Sequence, residues 1–169
     1  MSIDSRRVVG DDRLFLLDLY AASRADEFSA VGWIPAAVRT FLDQQYQARE
    51  VGWAVSAPSA DDLLLVRDGR PLGRLVLDRR ADDIRVVDIA LMPEEQGQGI
   101  GTAVLREVLA DADAAGVPVT LHVVATSPAR RLYERLGFRL VEAEPEGDIV
   151  HVHMVRALDL GVAQPNTAT

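Results

Sequence analysis

The chain divides by the period of its apolar residues. Leu14 to Ala25 carries Leu14, Leu17 and Ala21 at helical spacing, and a second helix is predicted from Pro35 to about Arg49, with Val38, Phe41, Leu42 and Gln45 on one face. The period then shortens to about two. Trp53–Val55, Leu63–Arg67, Pro71–Asp78 and Ile84–Leu91 read as strands, and Asp68-Gly69 between the second and third is a two-residue hairpin turn. In the fourth strand Val87, Ile89 and Leu91 share one face, and Val86, Asp88 and Ala90 the other. Ile100–Ala115 is a helix with the stripe Ile100, Val104, Leu105, Val108, Leu109 and Ala112, closed by Gly116 and Pro118. A strand Val119–Val124 follows, then a helix opened by Pro128, capped by Thr126 or Ser127 and ended by Gly137. Arg139–Ala143 and Ile149–Val155 form a last hairpin across Glu144 to Gly147. The order predicts one α/β domain over residues 1–158, mostly antiparallel in its front half with one βαβ unit in its back half, and a flexible tail over 159–169.

The turn between the fourth strand and the long helix carries the chemistry. In Asp88-Ile89-Ala90-Leu91-Met92-Pro93-Glu94-Glu95-Gln96-Gly97-Gln98-Gly99-Ile100-Gly101, an apolar strand meets glycines at alternate positions and runs straight into a helix. Glycines let the backbone curl, leave amide N–H groups facing one spot and put no side chain in the way. With the positive end of the helix dipole, this makes a seat for an anion such as a pyrophosphate. The spacing is not the G-x-G-x-x-G of a dinucleotide fold, and no lysine follows to make a P-loop.

Composition narrows the partners. The formal net charge of −8 argues against nucleic acid or an anionic membrane surface, both of which reward basic faces. No cysteine is present, which excludes disulfides, thiolate metal sites and a cysteine nucleophile. The first ten residues hold no run of signal-peptide character and no stretch reaches transmembrane length, so the expected location is the cytoplasm. His122, His151 and His153 lie on strands, with His151 and His153 facing alike, but without a carboxylate or third ligand they do not call for a metal.

Two motifs point to a family. Gln96-Gly97-Gln98-Gly99-Ile100-Gly101 resembles the Q/R-x-x-G-x-G/A signature of the GNAT superfamily of N-acetyltransferases, and Ala129 to Phe138 (ARRLYERLGF) resembles that family's A-x-x-L-Y-x-x-x-G-F block in the expected order. The likeness covers Leu63 to Leu158 well and the first sixty residues in outline. It implies a GNAT-like α/β fold: a mixed, mostly antiparallel central sheet of about six to seven strands flanked by about four helices. It also implies acetyl-CoA as co-substrate and no metal. The amides of Gln98, Gly99, Ile100, Gly101 and Thr102 would hold the pyrophosphate, Gln96 and Gly97 would belong to the same cofactor-binding turn, and the backbone of Ile89, Ala90 and Leu91 would pair with the pantetheine arm. Thr126 and Ala129 would add contacts. Thr126 stands where the family usually has asparagine, so only one of two hydrogen bonds is kept. Tyr133 would protonate the departing thiolate. On the residues alone it is either a packing residue or a group at the rim of a cleft, one position off the stripe of Ala129, Leu132 and Leu136.

The base for the incoming amine is open. The glutamate that some members carry on the fourth strand is replaced by Arg85, and Asp88 is the best candidate, since a carboxylate on a central strand is costly unless used or paired. Arg24, Glu27 and Trp33, at the end of the first helix and in the loop after it, sit where this fold closes over the acceptor. The reading is a direct acetyl transfer from acetyl-CoA to an amine of a small molecule or peptide, without nucleic acid or membrane and with room for a homodimer. Its alternative is a non-catalytic acyl-CoA-binding or assembly module on the same fold.

Overall fold

The computed structural model of the protein describes residues 3–25, 35–146 and 149–158. Among them are seven strands, β1 (Asp4–Arg7), β2 (Asp61–Arg67), β3 (Arg70–Arg79), β4 (Ile84–Leu91), β5 (Val119–Val124), β6 (Arg139–Glu146) and β7 (Ile149–Arg156). Four α-helices accompany them: α1 (Arg13–Ser23), α2 (Pro35–Ser56), α3 (Ile100–Ala115) and α4 (Ala129–Arg135). The described residues form two compact units, one from those up to 79 with 85–105, the other from 80–84 with those from 106 to 158.

In the first unit the strands run in the order β1-β2-β3-β4, with β1 and β3 antiparallel to β2. The Asp68-Gly69 turn joins β2 to β3 with φ of 52° and 77°, the two positive values that this hairpin turn needs. Leu64 of β2 packs with Leu16, Leu17, Leu19 and Tyr20 of α1 and Leu42 and Tyr46 of α2, and Val66 and Ala90 join from the sheet, with Met92 just past β4. In the second unit β7 lies between β5 and β6, antiparallel to both. All six residues of the predicted α3 stripe are buried.

Several expectations are corrected. Trp53–Val55 is not a strand: α2 runs on to Ser56, and Trp53 sits one helical turn beyond Arg49 with its ring 4.3 Å from that guanidinium. On the same helix Gln45 is exposed and Tyr46 takes the core position. Leu14 is 71% exposed, because α1 is apolar nearly all round and its buried face is set by Leu16, Leu17, Leu19 and Tyr20 instead. Strand β1 has no counterpart in the sequence reading. Its four residues, Asp-Ser-Arg-Arg, are all exposed on an edge, so no alternation marks them. Residues 159–169, the predicted tail, and Gly147 of the last hairpin lie outside the described residues.

The chain leading into α1 is pinned by Asp12. It accepts two hydrogen bonds from Arg6 at 2.7 Å and one from the Val9 N–H at 2.9 Å. The Arg6 bonds chiefly, then the Val9 amide, outweigh burial and hold the Asp12 carboxyl at a pKa of about 2. A carboxylate lowered in the folded state contributes stability above its ordinary pKa and loses it as pH falls toward the folded value. The denaturant midpoint should therefore drop between about pH 4 and pH 2. Asp12→Asn should be less stable at neutral pH and flatter across that window; equal slopes in the two proteins would remove Asp12 from the account.

Candidate active site

The glycine turn has the shape of an anion seat. Gly97 and Gly99 lie at φ 72° and 81°, in the left-handed region open to glycine, and a Cβ added at either would meet nothing within 4 Å. Among the described residues, the first amide from Gly97 onward with a backbone acceptor is that of Ala103, which donates to the Gly99 carbonyl at 3.0 Å. The amides of Ile100, Gly101 and Thr102 thus keep the orphan status of a helix first turn. The turn itself is braced from behind. The Gln96 side-chain amide donates to the Leu91 carbonyl at 2.9 Å, and that of Gln98 to the Glu94 carbonyl at 2.7 Å. Buried Glu95 pairs with Arg67, and the Met92 N–H donates to Leu72 O at 2.9 Å. The side chains of Gln96 and Gln98 therefore shape the loop, leaving anion contact to its backbone.

Gly73 on β3, against the backbone expected to hold the cofactor's arm, is a residue that the sequence reading passed over. A Cβ there would stand 2.2 Å from Ala90 O and 3.1 Å from Leu91 Cα, so β3 approaches the Ala90–Leu91 backbone as only glycine allows. The β2–β3 register shifts beside it, at Leu65/Val66 opposite Gly73 and Pro71. A glycine inside a strand run was the available signal.

Asp88 stands on the face of β4 shared with Ala90, in a network assembled from α2, β2 and β3. Arg74, 3% exposed, donates two hydrogen bonds to Glu50 (2.6 and 2.8 Å) and two to Asp62 (2.7 Å each). Burial pulls the Arg74 pKa down, but these bonds outweigh it and keep the guanidinium charged. Arg49 Nη1 lies 3.8 Å from Asp88 Oδ2 and Nη2 3.7 Å from Glu50. The Asp88 side chain is 23% exposed as a whole, yet its Oδ2 is sealed from solvent and accepts no hydrogen bond among the described residues. Burial raises the Asp88 pKa against the pull of Arg49 and Arg74, and Glu50 and Asp62 add to the rise. A buried, incompletely paired carboxylate is a costly arrangement in a fold and a useful one in a proton acceptor.

Arg24 joins the edge of this network, donating from Nη1 to the Tyr20 hydroxyl at 2.9 Å, while Tyr20 lies under Arg49. Glu27 and Trp33, the other acceptor-contact expectations, lie outside the described residues. A cavity of about 500 Å³ opens in the same unit between the start of α1 and the middle of α2, walled by Arg13, Tyr46, Glu50 and Asp62.

In the second unit, α4 starts after Pro128 with the Ser127 hydroxyl accepting from the Ala129 N–H at 3.3 Å, and it ends at Gly137 with φ 89°. Thr126 is exposed on the turn before it. Tyr133 is not at a rim. It is buried, with its ring edge-on to Phe138 at 5.8 Å, and its carbonyl accepts the Phe138 N–H at 3.0 Å. Also in this unit His122 stacks on His153 across the β5–β7 pair, centroids 4.6 Å apart, which accounts for two of the three histidines.

Residues 25–158 match the acetyltransferase (GNAT) domain family, and the chain belongs to it. Solved structures share its fold. The PaiA N-acetyltransferase of Thermoplasma acidophilum, in complex with coenzyme A, is 20% identical, with 93% of this chain and 99% of that one covered and a TM-score of 0.66. An acetyltransferase of Thermus thermophilus is 22% identical over 94% and 98%, TM-score 0.66. The ribosomal-protein-S18-alanine N-acetyltransferase of Escherichia coli is 19% identical over 99% and 100%, TM-score 0.61. The GNAT-like fold, with seven strands and four helices among the described residues, is as the motifs implied. No helix among the described residues is long and apolar enough to cross a membrane.

Proposed function

We propose that this chain transfers an acetyl group from acetyl-CoA directly to an amine of a small molecule or peptide. The observation that carries the reading is the glycine turn: consecutive unpartnered amides at the start of a 16-residue helix, with Gly97 and Gly99 leaving room for a pyrophosphate. Family membership, and the coenzyme A bound to a protein of the same fold, support that choice of anion. Acetyl-CoA supplies the activated acetyl thioester. The backbone of Ile89, Ala90 and Leu91 extends beyond the turn to hold the cofactor's arm, and the family motif adds Thr126 and Ala129 as further cofactor contacts. Asp88 receives the proton that the acceptor's ammonium must lose before its nitrogen is a nucleophile. Tyr133 gives a proton to the departing sulfur, and its buried ring, fixed against Phe138, holds the hydroxyl in one place. Arg24, Glu27 and Trp33 line the approach of the acceptor.

Release of free thiol from acetyl-CoA, followed over a panel of primary amines, amino acids and short peptides, tests the reading. Wild type should release thiol with at least one amine class, and Tyr133→Phe should lower kcat roughly 10²-fold with coenzyme A affinity nearly unchanged. Coenzyme A binding without release on any acceptor would favour the non-catalytic acyl-CoA-binding module instead. Wild-type kcat in Tyr133→Phe would leave that residue a packing role only.

A further inference from the structure

We propose that Arg49 is the positioning residue of the Asp88 carboxylate, held for that task between the rings of Tyr20, Tyr46 and Trp53. The proposal rests on the reading of Asp88 as the proton acceptor and adds the device that makes it usable.

The guanidinium carbon of Arg49 lies 4.3 Å from the Trp53 ring centre, 4.5 Å from that of Tyr20 and 5.5 Å from that of Tyr46. Three aromatic faces around one planar cation fix its place more firmly than a surface pair would, since each face attracts the charge and excludes water. What the cage leaves unsatisfied is informative. Arg49 Nε is sealed and donates no hydrogen bond among the described residues, and the facing Asp88 Oδ2 accepts none. At 3.8 Å the two groups attract without closing a hydrogen bond. A tight bidentate pair would leave Asp88 too weak a base; a missing cation would leave a buried carboxyl protonated and unable to take a proton.

The neighbouring charges fit this division of labour. Arg74 is saturated by Glu50 and Asp62, four hydrogen bonds in all, so those two carboxylates are committed elsewhere. The groups facing Asp88 are Arg49 and Glu50 from α2, Asp62 from β2 and Arg74 from β3. Of these two cations, only Arg49 is without a bidentate partner among the described residues, and it is therefore available to Asp88.

Carboxyl-carbon NMR on protein labelled at aspartate, with Asp88→Asn to assign the resonance, reads this directly and needs no acceptor. Arg49→Gln should raise the Asp88 titration midpoint by at least about one pH unit, while Arg49→Lys, which keeps the charge, should recover much of that rise. Calorimetric coenzyme A binding checks that each variant is folded. An unchanged midpoint in Arg49→Gln, or an equal rise in Arg49→Lys, overturns the proposal. If Arg49→Gln does not fold, Trp53→Leu carries the test: removing one wall should move the midpoint the same way, and no movement overturns it. Failure of the underlying reading is separately visible, as full thiol release by Asp88→Asn with the Arg49-dependent shift intact.

Discussion

Asp88→Asn is expected to lower kcat about 10³-fold, within the range for loss of a positioned general base, while the protein melts no lower than wild type at neutral pH. The two halves of this result come from one cause. Asp88 carries a sealed oxygen with no hydrogen bond among the described residues, and burial raises its pKa above the ordinary carboxylate value. A carboxyl raised in the folded state stabilises the fold fully below its unfolded pKa, and that contribution is lost as pH rises through the folded value. Once ionised, the group is thus a net cost to folding, which a neutral amide of the same shape escapes. Arg49, deprived of its counter-charge, still has Glu50 at 3.7 Å and three aromatic faces. The melting difference between the two proteins should therefore shrink as the medium is acidified and Asp88 takes up its proton. Thermal melts at pH 8 and pH 4, with thiol release on an amine that wild type accepts, measure both halves. Wild-type kcat would place the base elsewhere, and a large loss of stability at pH 8 would make Asp88 a structural ion-pair residue.

What the sequence made legible was local. The α3 stripe is buried at every position it named, the Asp-Gly pair makes its hairpin turn, and the glycine turn curls as its spacing implied, with Gly97 and Gly99 at positive φ. These features depend on neighbours within a few residues, and periodicity reads them directly. The polar network around Asp88 was legible only as one suspicious carboxylate. Arg74 meets Asp62 across 12 positions and Glu50 across 24, contacts that no local pattern encodes. The same blindness misplaced the end of α2. Trp53-Ala54-Val55 has strand propensity, but Trp53 stacks on both Arg49 and Arg74, and that packing overrides propensity and extends the helix to Ser56. For Tyr133 the residues alone left packing and a cleft rim open, and the choice of burial depends on the short α4 bringing it beside Phe138 once the chain has turned at Gly137.

Gly73→Ala should be the most damaging single methyl in the first unit. The added carbon would stand 2.2 Å from Ala90 O and 2.8 Å from Leu91 Cδ2, and the first of these is backbone that no rotamer change can move. Relief must come from β3 and β4 shifting apart at Ala90–Leu91, which is the stretch expected to hold the cofactor's arm and which also receives the Gln96 brace. Overpacking of this kind costs about 3 kcal/mol or more, a fall of roughly 10 °C in Tm for a chain of this size. Coenzyme A affinity should fall at least tenfold beyond what unfolding explains. Gly52→Ala on α2 is the matched control: its Cβ would meet nothing within 4 Å, so removing a helical glycine should raise stability by about 0.5–1 kcal/mol. Calorimetry with coenzyme A, run well below both melting points, separates the two effects. If Gly73→Ala binds coenzyme A as wild type does, the Ala90–Leu91 backbone is not part of the cofactor seat, and the arm must be held elsewhere along the turn.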